Sequence, residues 1–362
     1  MRQQQTGRDG VDATLLRVIV EQFIALSWHP SAEIAQFERL AGGLIDLAPA
    51  SAVASVAQAL CLHPDTPPAI ISRLLDKSEE CARIALEFAP AIPAVDILVM
   101  AEHGPTELAE AIAHRADLHR DIIGALASRS EPSVLLALAT NKNARLDRLA
   151  LRTLTGVARD NLWLARALLD RDDLEIDPEP LFLAATRAER AAIILDACRQ
   201  AIASGGVDSG MRIDAAIAER LAGAGAARDR DAMIAVLADA LDCRKSRVRA
   251  IVNDAGGEAL ALAFAALGVT RALATRLFLC ANAPISHDVA RVRSLLALMR
   301  SAPPRAAARI VSSVTGAVRP EREAARRSSW REEAQAHGWR RGLGGARPAS
   351  DAPRLLKRDQ SA

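Results

Sequence analysis

The sequence predicts an all-α protein, an α-solenoid of short helical repeats with a 26-residue period followed by a second helical block. Two observations lead to this prediction. The segment 52–155 repeats itself at a fixed interval, and the composition lacks the alternating β-branched and aromatic runs that are typical of strands. Aromatic residues make up 3% of the chain and Tyr is absent, so the core is expected to consist of Ala, Leu, Ile and Val.

Residues 52–155 align with themselves in four rows of 26 without a gap. The fifth, ninth and twentieth columns are apolar, and the twentieth reads Ile71, Ile97, Ile123 and Leu149. The eighth column is alanine in every row: Ala59, Ala85, Ala111 and Ala137. These columns are expected to face the interior, because small residues at regular positions let neighbouring helices approach closely.

Each row contains two short helical patterns that are separated by a turn. Ser78 and Ser130 are expected to cap the first helix of their rows, and Gly104-Pro105 opens the equivalent helix between them. Helices of roughly 8–10 residues are not stable in isolation, because nucleation is costly. Each helix must therefore bury its apolar face on a neighbour, which stacked helix pairs allow.

The chain divides into four predicted segments. Residues 1–11 are expected to be disordered, and 12–170 to form an N-terminal cap and the helical repeats, with Trp163 closing the stack. The polar stretch 171–180 contains two prolines and is the predicted boundary, although it could also be a long loop inside one continuous solenoid. A C-terminal helical block is predicted over 178–317, and 318–362 as a basic, largely disordered tail.

Charge and cysteine content indicate a broad class of protein. The chain has 46 Lys and Arg against 44 Asp and Glu, and almost all the cations are Arg. This preference is compatible with anion contacts, but a GC-rich genome explains it more simply and also explains the abundant Ala. The odd number of cysteines, five, indicates reduced thiols and a cytoplasmic protein. The first residues lack an apolar signal core, and no apolar run is long enough to span a membrane.

The motifs of common catalytic sites are absent from the sequence. It contains no His-Glu-x-x-His, no Gly-x-Ser-x-Gly and no Gly-x-x-x-x-Gly-Lys-Ser/Thr. Gly223-Ala224-Gly225 lacks the third glycine of a dinucleotide loop and is interpreted as a helix end. We therefore predict no catalytic residue, no cofactor and no metal site, and expect that the protein is not an enzyme.

Arginine-rich stretches supply the candidate contact residues. The tail from Val318 contains eleven cations and six anions, and it places Trp330 beside Arg326 and Arg327. Aromatic side chains among cations can stack on nucleic acid or bind an anionic membrane surface, although a solubilising tail is the simpler interpretation. Arg115, Arg145 and Arg148 lie near predicted repeat turns and are the other candidates.

A family resemblance is carried by four short segments and by the motif Ala113-His114-Arg115-Ala116-Asp117. The segments are 257–262 (Gly-Glu-Ala-Leu-Ala-Leu), 266–269 (Ala-Leu-Gly-Val), 277–282 (Leu-Phe-Leu-Cys-Ala-Asn) and 289–292 (Val-Ala-Arg-Val). Together they resemble the bacterial family named domain of unknown function 2336, over roughly residues 35–315. The repeats are also similar to HEAT-type and leucine-rich-variant repeats, but the iron–sulfur cysteine cluster of the latter is missing. The resemblance implies a helical cytosolic protein without an assigned activity.

The sequence favours a non-enzymatic scaffold whose stacked helices bind a protein partner. The alternative is a helical-repeat protein that binds nucleic acid through its Arg-rich surface or its basic tail. Steep weakening of binding with salt would distinguish the second function, because it depends on phosphate contacts.

Overall fold

The computed structural model describes residues 2–205 and 213–316 of the chain. Every regular element in these two ranges is a helix, and neither range contains a β-strand. Met1–Gly316 forms one compact unit. The prediction of an all-helical protein is confirmed.

The helices of the first half are mostly eight to thirteen residues long and alternate with short turns. They are α1 Arg2–Ile24, α2 Ser31–Leu47, α3 Ala50–Leu62, α4 Pro68–Lys77, α5 Glu79–Phe88, α6 Ala94–His103, α7 Thr106–Ala113, α8 Arg120–Ala127, α9 Pro132–Thr140, α10 Arg148–Ala158 and α11 Leu162–Leu169. A 3₁₀-helix, η1 Glu179–Ala184, follows them.

The helices of the second half follow η1. They are α12 Arg187–Ala203, α13 Ala215–Ala227, α14 Arg230–Leu241, α15 Lys245–Asn253, α16 Glu258–Ala266, α17 Arg271–Leu279, α18 Ala283–Ser286, α19 Val289–Ser301 and α20 Pro304–Thr315.

Alternate helices of the first half pack on one another. Helix α3 contacts α5, α5 contacts α7, α7 contacts α9, and α9 contacts α11. Among the intervening helices the same kind of contact joins α2 with α4, α6 with α8, and α8 with α10, but α4 and α6 do not form such a pair. Each short helix is therefore covered by neighbours from adjacent repeats, which compensates for its low intrinsic stability.

The repeat columns are buried with two exceptions. The fifth and ninth columns are buried in all four rows, and in the eighth column Ala85, Ala111 and Ala137 are buried while Ala59 is half-buried. In the twentieth column Leu149 is 70% exposed, although Ile123 is buried. The prediction for Leu149 is wrong because α10 starts 28 residues after α8 (148 − 120), whereas α8 starts 26 residues after α6 (120 − 94).

The helix starts agree only in part with the predicted caps. The Ser78 hydroxyl accepts a hydrogen bond from the Cys81 N–H at 3.2 Å, as expected for an N-cap. Ser130 is not a cap, because α9 begins at Pro132 with Glu131 in the N-cap position. Helix α1 begins at Arg2 and includes most of the segment that was expected to be disordered, where Gln and Arg are good helix formers.

Buried apolar side chains form two clusters that meet inside η1. The first cluster runs from Leu16 to Leu181 and the second from Phe182 to Val314. Helix α11 contacts η1 from the side of the first cluster, and α20 contacts it from the side of the second. Trp163 does not close the first cluster, since its side chain is 79% exposed.

The five cysteines are free thiols, and Cys61 and Cys81 are buried. Burial raises the pKa of the Cys61 thiol to about 12. This thiol stays protonated at neutral pH and packs as an apolar side chain.

Candidate functional site

Polar side chains recur at the twelfth column of the repeat, directly after the first helix of a row. Arg115, Asn141 and Arg171 reach back to backbone carbonyl groups of the preceding repeat, and His63 reaches the Leu26 carbonyl in the α1–α2 turn, before the first repeat. We call this set the inter-repeat ladder, and its members are His63, Arg115, Asn141 and Arg171. Arg171 belongs to the set because it follows α11 as Arg115 follows α7.

Arg115 uses its guanidinium for two purposes. Nη1 donates to the carbonyl oxygens of Leu86 at 2.6 Å and Ala89 at 3.0 Å, which end helix α5. Nε and Nη2 donate to the two carboxylate oxygens of Asp117, each at 2.8 Å. The residue is 3% exposed, so its charge is neutralised by a carboxylate and by the negative end of a helix.

The next two members repeat this geometry with different side chains. The Asn141 amide donates to the carbonyls of Ala113 at 2.8 Å and Arg115 at 2.7 Å. Arg171 donates to the carbonyls of Asn141 at 2.7 Å and Ala144 at 2.9 Å, and it pairs with Asp173. Buried carbonyl groups at the helix ends are satisfied in this way, as folded chains require.

Similar contacts occur outside the twelfth column. Arg129 donates to the carbonyls of Ala101 and Gly104, both at 3.0 Å, and pairs with Glu131. In the second cluster the Asn282 amide donates to the carbonyls of Val252 at 3.1 Å and Asp254 at 2.8 Å. The same physical device therefore holds helix ends in both halves of the chain.

One group of side chains has the composition of a metal site. His29, His63 and Asp65 each place a possible ligand atom within 4.8 Å of the others. His63 accepts a hydrogen bond from the Asp65 N–H at Nδ1 (3.2 Å) and lies 2.7 Å from the Leu26 carbonyl at Nε2, so Nε2 carries the proton. Neither nitrogen of His63 has a free lone pair for a metal ion. His29 stacks on Phe23 at 4.2 Å, and the group joins the α1–α2 turn to the α3–α4 turn.

A cleft of about 640 Å³ lies beside η1 and is lined by both acidic and basic side chains. Within it, Glu179 is buried and accepts hydrogen bonds from Arg309 Nε at 2.7 Å and from the Ser313 hydroxyl at 3.1 Å. Arg309 also donates to the Gln200 amide oxygen. Because both carboxylate oxygens of Glu179 have partners, this arrangement fastens α20 to η1.

A second buried ion-pair network connects η1 and α12 to α16. Arg190 donates to Asp254 at 2.8 and 2.9 Å and to Glu258 at 2.9 Å. Burial raises the pKa of the Glu258 carboxyl, but hydrogen bonds from Arg291 and Arg190 outweigh it and the pKa is lowered overall. The lowered pKa keeps the Glu258 carboxylate ionised at neutral pH, where it pairs with both arginines.

The predicted contact residues have different fates. Arg115 is a correction: it is buried and bonded to its own chain, so it is not a surface contact. Arg145 and Arg148 are exposed on and just before α10. Arg326, Arg327 and Trp330 lie outside the residues that the structure describes.

None of the helices in the described part of the chain combines the length and the apolar character that crossing a bilayer requires.

Fold and site together define an all-helical protein in which polar clusters fasten one helix pair to the next. Residues 81–179 match the model of a family described as "Uncharacterised protein conserved in bacteria (DUF2336)". The match confirms the resemblance and covers the ladder from Arg115 to Arg171, while segments 257–292 lie outside it. Neither the curated proteins nor the solved structures yielded a match.

Proposed function

We propose that the chain is a non-enzymatic scaffold in which α2 to α11 stack as an α-solenoid and bind a protein partner. The observation that carries this proposal is the contact of alternate helices over successive repeats. The inter-repeat ladder supports it, because each polar tie joins one repeat to the repeat before it. Stacks of this kind offer extended surfaces for recognition.

The outward surface of the second helices provides a specific docking face. Helices α6, α8 and α10 are neighbours, and Val95 on α6 and Leu149 on α10 are each 70% exposed. Val99 is exposed on α6, and Gly124 keeps the surface of α8 flat. We call this the α6–α10 face. Exposed apolar side chains on adjacent helices are typical of protein–protein contacts.

The state of the polar clusters favours binding over catalysis. Glu179, Arg190 and His63 each have partners within the chain that occupy their reactive atoms. A general acid or base needs an atom that can reach a substrate. The described clusters are therefore better suited to holding helices in place.

The test compares partner capture by three forms of the full chain in extracts of its own cells. The Leu149→Glu variant is expected to lose a partner that the unmodified chain retains after crosslinking, because it puts a charge on the α6–α10 face. Leu195→Glu is the matched control, since Leu195 is an exposed leucine on α12. Circular dichroism establishes that both variants are folded. Equal capture by Leu149→Glu, or no specific capture by the unmodified chain, would contradict the proposal.

Nucleic-acid binding is a second candidate, favoured by the exposed cations around α10. Lys142, Arg145, Arg148 and Arg152 are all exposed within eleven residues (142–152). If they bind phosphates, the affinity for a labelled oligonucleotide falls steeply with salt, and Arg148→Gln reduces the salt slope by about one. Arg199→Gln on α12 is the control, because Arg199 is exposed in the other half of the described chain. A salt-independent signal would exclude this function.

A further inference from the structure

Helices α6, α8 and α10 lie side by side and run in the same direction. At the start of α8, Arg120 pairs with Asp147, the N-cap residue of α10, at 2.9 Å. Just after the end of α8, Arg129 donates to the carbonyls of Ala101 and Gly104 at the end of α6, both at 3.0 Å. Because starts lie beside starts and ends beside ends, the exposed sides of the three helices share one surface.

The exposed side of the middle helix, α8, carries small residues. Gly124 and Ser128 are exposed one turn apart, and a Cβ added at Gly124 would meet no atom of another helix within 4 Å. Val99 on α6 and Leu149 on α10 project on either side and are 52% and 70% exposed. A cleft of about 590 Å³ between the ends of α6 and α8 is lined in part by Gly124 and Ser128. We call this depression the α8 trough, with Gly124 and Ser128 as its floor and α6 and α10 as its walls.

The two walls of the α8 trough carry opposite charges. On α10, Arg148 and Arg152 are exposed, and no ion pair of the described residues includes them. On α6, Asp96 and Glu102 are exposed, and Glu102 lies 3.6 Å from His103. The trough therefore has a cationic wall on α10 and an anionic wall on α6.

Two other arginines near the α8 trough are compensated within the chain. Arg120 pairs with Asp147 at the start of α10, and Arg129 pairs with Glu131 beside the cleft. A ligand therefore meets one positive wall and one negative wall, with a floor of small residues between them. A nucleic-acid backbone or an anionic membrane surface is negative throughout, so the α6 wall would repel it.

An amphipathic α-helix fits this arrangement. Packed helices lie about 8–10 Å apart, at a distance that depends on the side chains between them, and the small floor residues permit a close approach. A helix that lies along α8 covers the floor with its apolar stripe and brings its two flanks to the two walls. Binding of an amphipathic helix in a groove is a recurrent mode of protein recognition.

We propose that the α8 trough binds an amphipathic helix of a protein partner, with acidic side chains on the flank that faces α10 and basic side chains on the flank that faces α6. This inference rests on the scaffold function proposed above and defines the chemistry of the partner at the α6–α10 face. Apolar contact with Val99 and Leu149 contributes affinity. The charged walls contribute mainly specificity, because charges at the rim of an interface discriminate among partners.

The test uses two synthetic helical peptides with the same leucine stripe and the same composition. The dipolar peptide has Glu on one flank of the stripe and Lys on the other, whereas the mixed peptide has both residues on both flanks. Fluorescence anisotropy measures the binding of each labelled peptide to the full chain at low salt. The dipolar peptide is expected to bind about tenfold more tightly, through several exposed ion pairs of modest strength.

Reversing the charge of the α10 wall gives a second readout. The double variant Arg148→Glu, Arg152→Glu has two acidic walls, so it is expected to lose the preference for the dipolar peptide. It should instead favour a third peptide with Lys on both flanks. The control is Arg187→Glu, Arg199→Glu, because both arginines are exposed on α12 and the change in net charge is the same. Circular dichroism establishes folding, and Arg148→Gln replaces the double variant if that variant does not fold.

The outcomes separate this inference from the scaffold function. Binding of neither peptide, equal binding of the dipolar and mixed peptides, or the same effect in the α12 control overturns the inference. Displacement of the dipolar peptide by an oligonucleotide assigns the α10 wall to nucleic acid and also overturns it. If a cellular partner is nevertheless captured and then lost in Leu149→Glu, the scaffold function stands without this partner chemistry. If no partner is captured, the scaffold function itself fails.

Discussion

The buried arginines of the inter-repeat ladder show what a charged side chain requires inside a helical protein. A buried guanidinium is costly unless both its charge and its hydrogen-bond donors are satisfied. Arg115 meets this condition with one carboxylate, Asp117, and two carbonyl groups from α5. Removing the side chain leaves those carbonyls buried without their donor.

We expect Arg115→Met to destabilise the chain by about 3–5 kcal/mol, the usual range for breaking a buried charge pair. The matched control is Arg120→Met, because the Arg120 side chain is 77% exposed in its pair with Asp147. It is expected to cost less than about 1 kcal/mol. Urea unfolding followed by circular dichroism measures both, and similar losses would show that the buried contacts of Arg115 contribute little.

At the scale of the helix, the repeat register decides which side chains are buried. Ile123 and Leu149 occupy the same column of the repeat, but only Ile123 is buried, because α10 is displaced by two residues. Leu151 lies 28 residues after Ile123 and packs partly against the first cluster. In α10 the position that faces the core is therefore Leu151 and not Leu149.

Ile123→Ala is expected to lower the free energy of unfolding by about 2–5 kcal/mol, through lost burial and a cavity. Leu149→Ala is expected to change it by less than about 0.5 kcal/mol, as for an exposed substitution. Thermal and urea unfolding of the two variants measure this difference. A large loss of unfolding free energy in Leu149→Ala would mean that Leu149 is buried like Ile123, as a strict 26-residue period predicts.

The start of α12 combines a capping box with an ion pair to α11. The Thr186 hydroxyl accepts from the Glu189 N–H, and the Glu189 carboxylate accepts from the Thr186 N–H and from Arg166. The hydrogen bond from Arg166 is the largest cause that lowers the pKa of Glu189 from 4.5 to about 2. A lowered pKa stabilises the folded state above pH 4.5, and this contribution is lost as pH falls through about 2.

We therefore expect Glu189→Gln to be less stable than the unmodified chain at pH 6, with a difference that shrinks as the pH approaches 2. Part of the Glu189 side chain is exposed, so solvent screening limits the size of the effect. Melting temperatures across this pH range test it. Glu107→Gln, an exposed change on α7, is the control, and a pH-independent difference for Glu189→Gln would contradict the assignment.

Local patterns predicted the helices and most of the buried columns, because the apolar period follows directly from helix geometry. They did not predict the role of Arg115, whose acceptors are backbone carbonyls 26 and 29 residues earlier. Every residue has a backbone carbonyl, so the residue types in the sequence do not show which carbonyls accept these hydrogen bonds. The spacing Arg-x-Asp or Arg-x-Glu was a usable signal, since it recurs at Arg115, Arg129 and Arg171.

At the scale of the whole molecule, η1 is the junction of the two apolar clusters. Leu181 belongs to the first cluster and Phe182 to the second, and both are fully buried. The guanidinium of Arg190 lies 5.4 Å from the centre of the Phe182 ring. Loosening η1 is therefore expected to weaken packing on both sides.

Phe182→Ala is expected to cost about 3–5 kcal/mol and to speed hydrogen exchange in both α11 and α20. Phe264→Ala is the matched control, because Phe264 is equally buried but lies within α16 in the second cluster. We expect it to speed exchange in α16 and α20 and to leave α11 protected. Exchange measured by mass spectrometry separates the cases, and protection of α11 in Phe182→Ala would exclude a junction role for η1.

The ladder contacts of two members reach back one period of the sequence, 26 residues for Arg115 to Ala89 and for Asn141 to Arg115, whereas that of His63 to Leu26 spans 37 residues. Each repeat supplies the polar side chain that bonds it to the preceding repeat. Whole repeats could therefore be duplicated or lost in evolution without the need for a new kind of contact. Changes in length would then be tolerated in steps of one repeat, and partial steps would misalign donor and carbonyl. If the chain is the scaffold proposed above, adding or removing whole repeats would change the length of its binding surface while keeping these contacts.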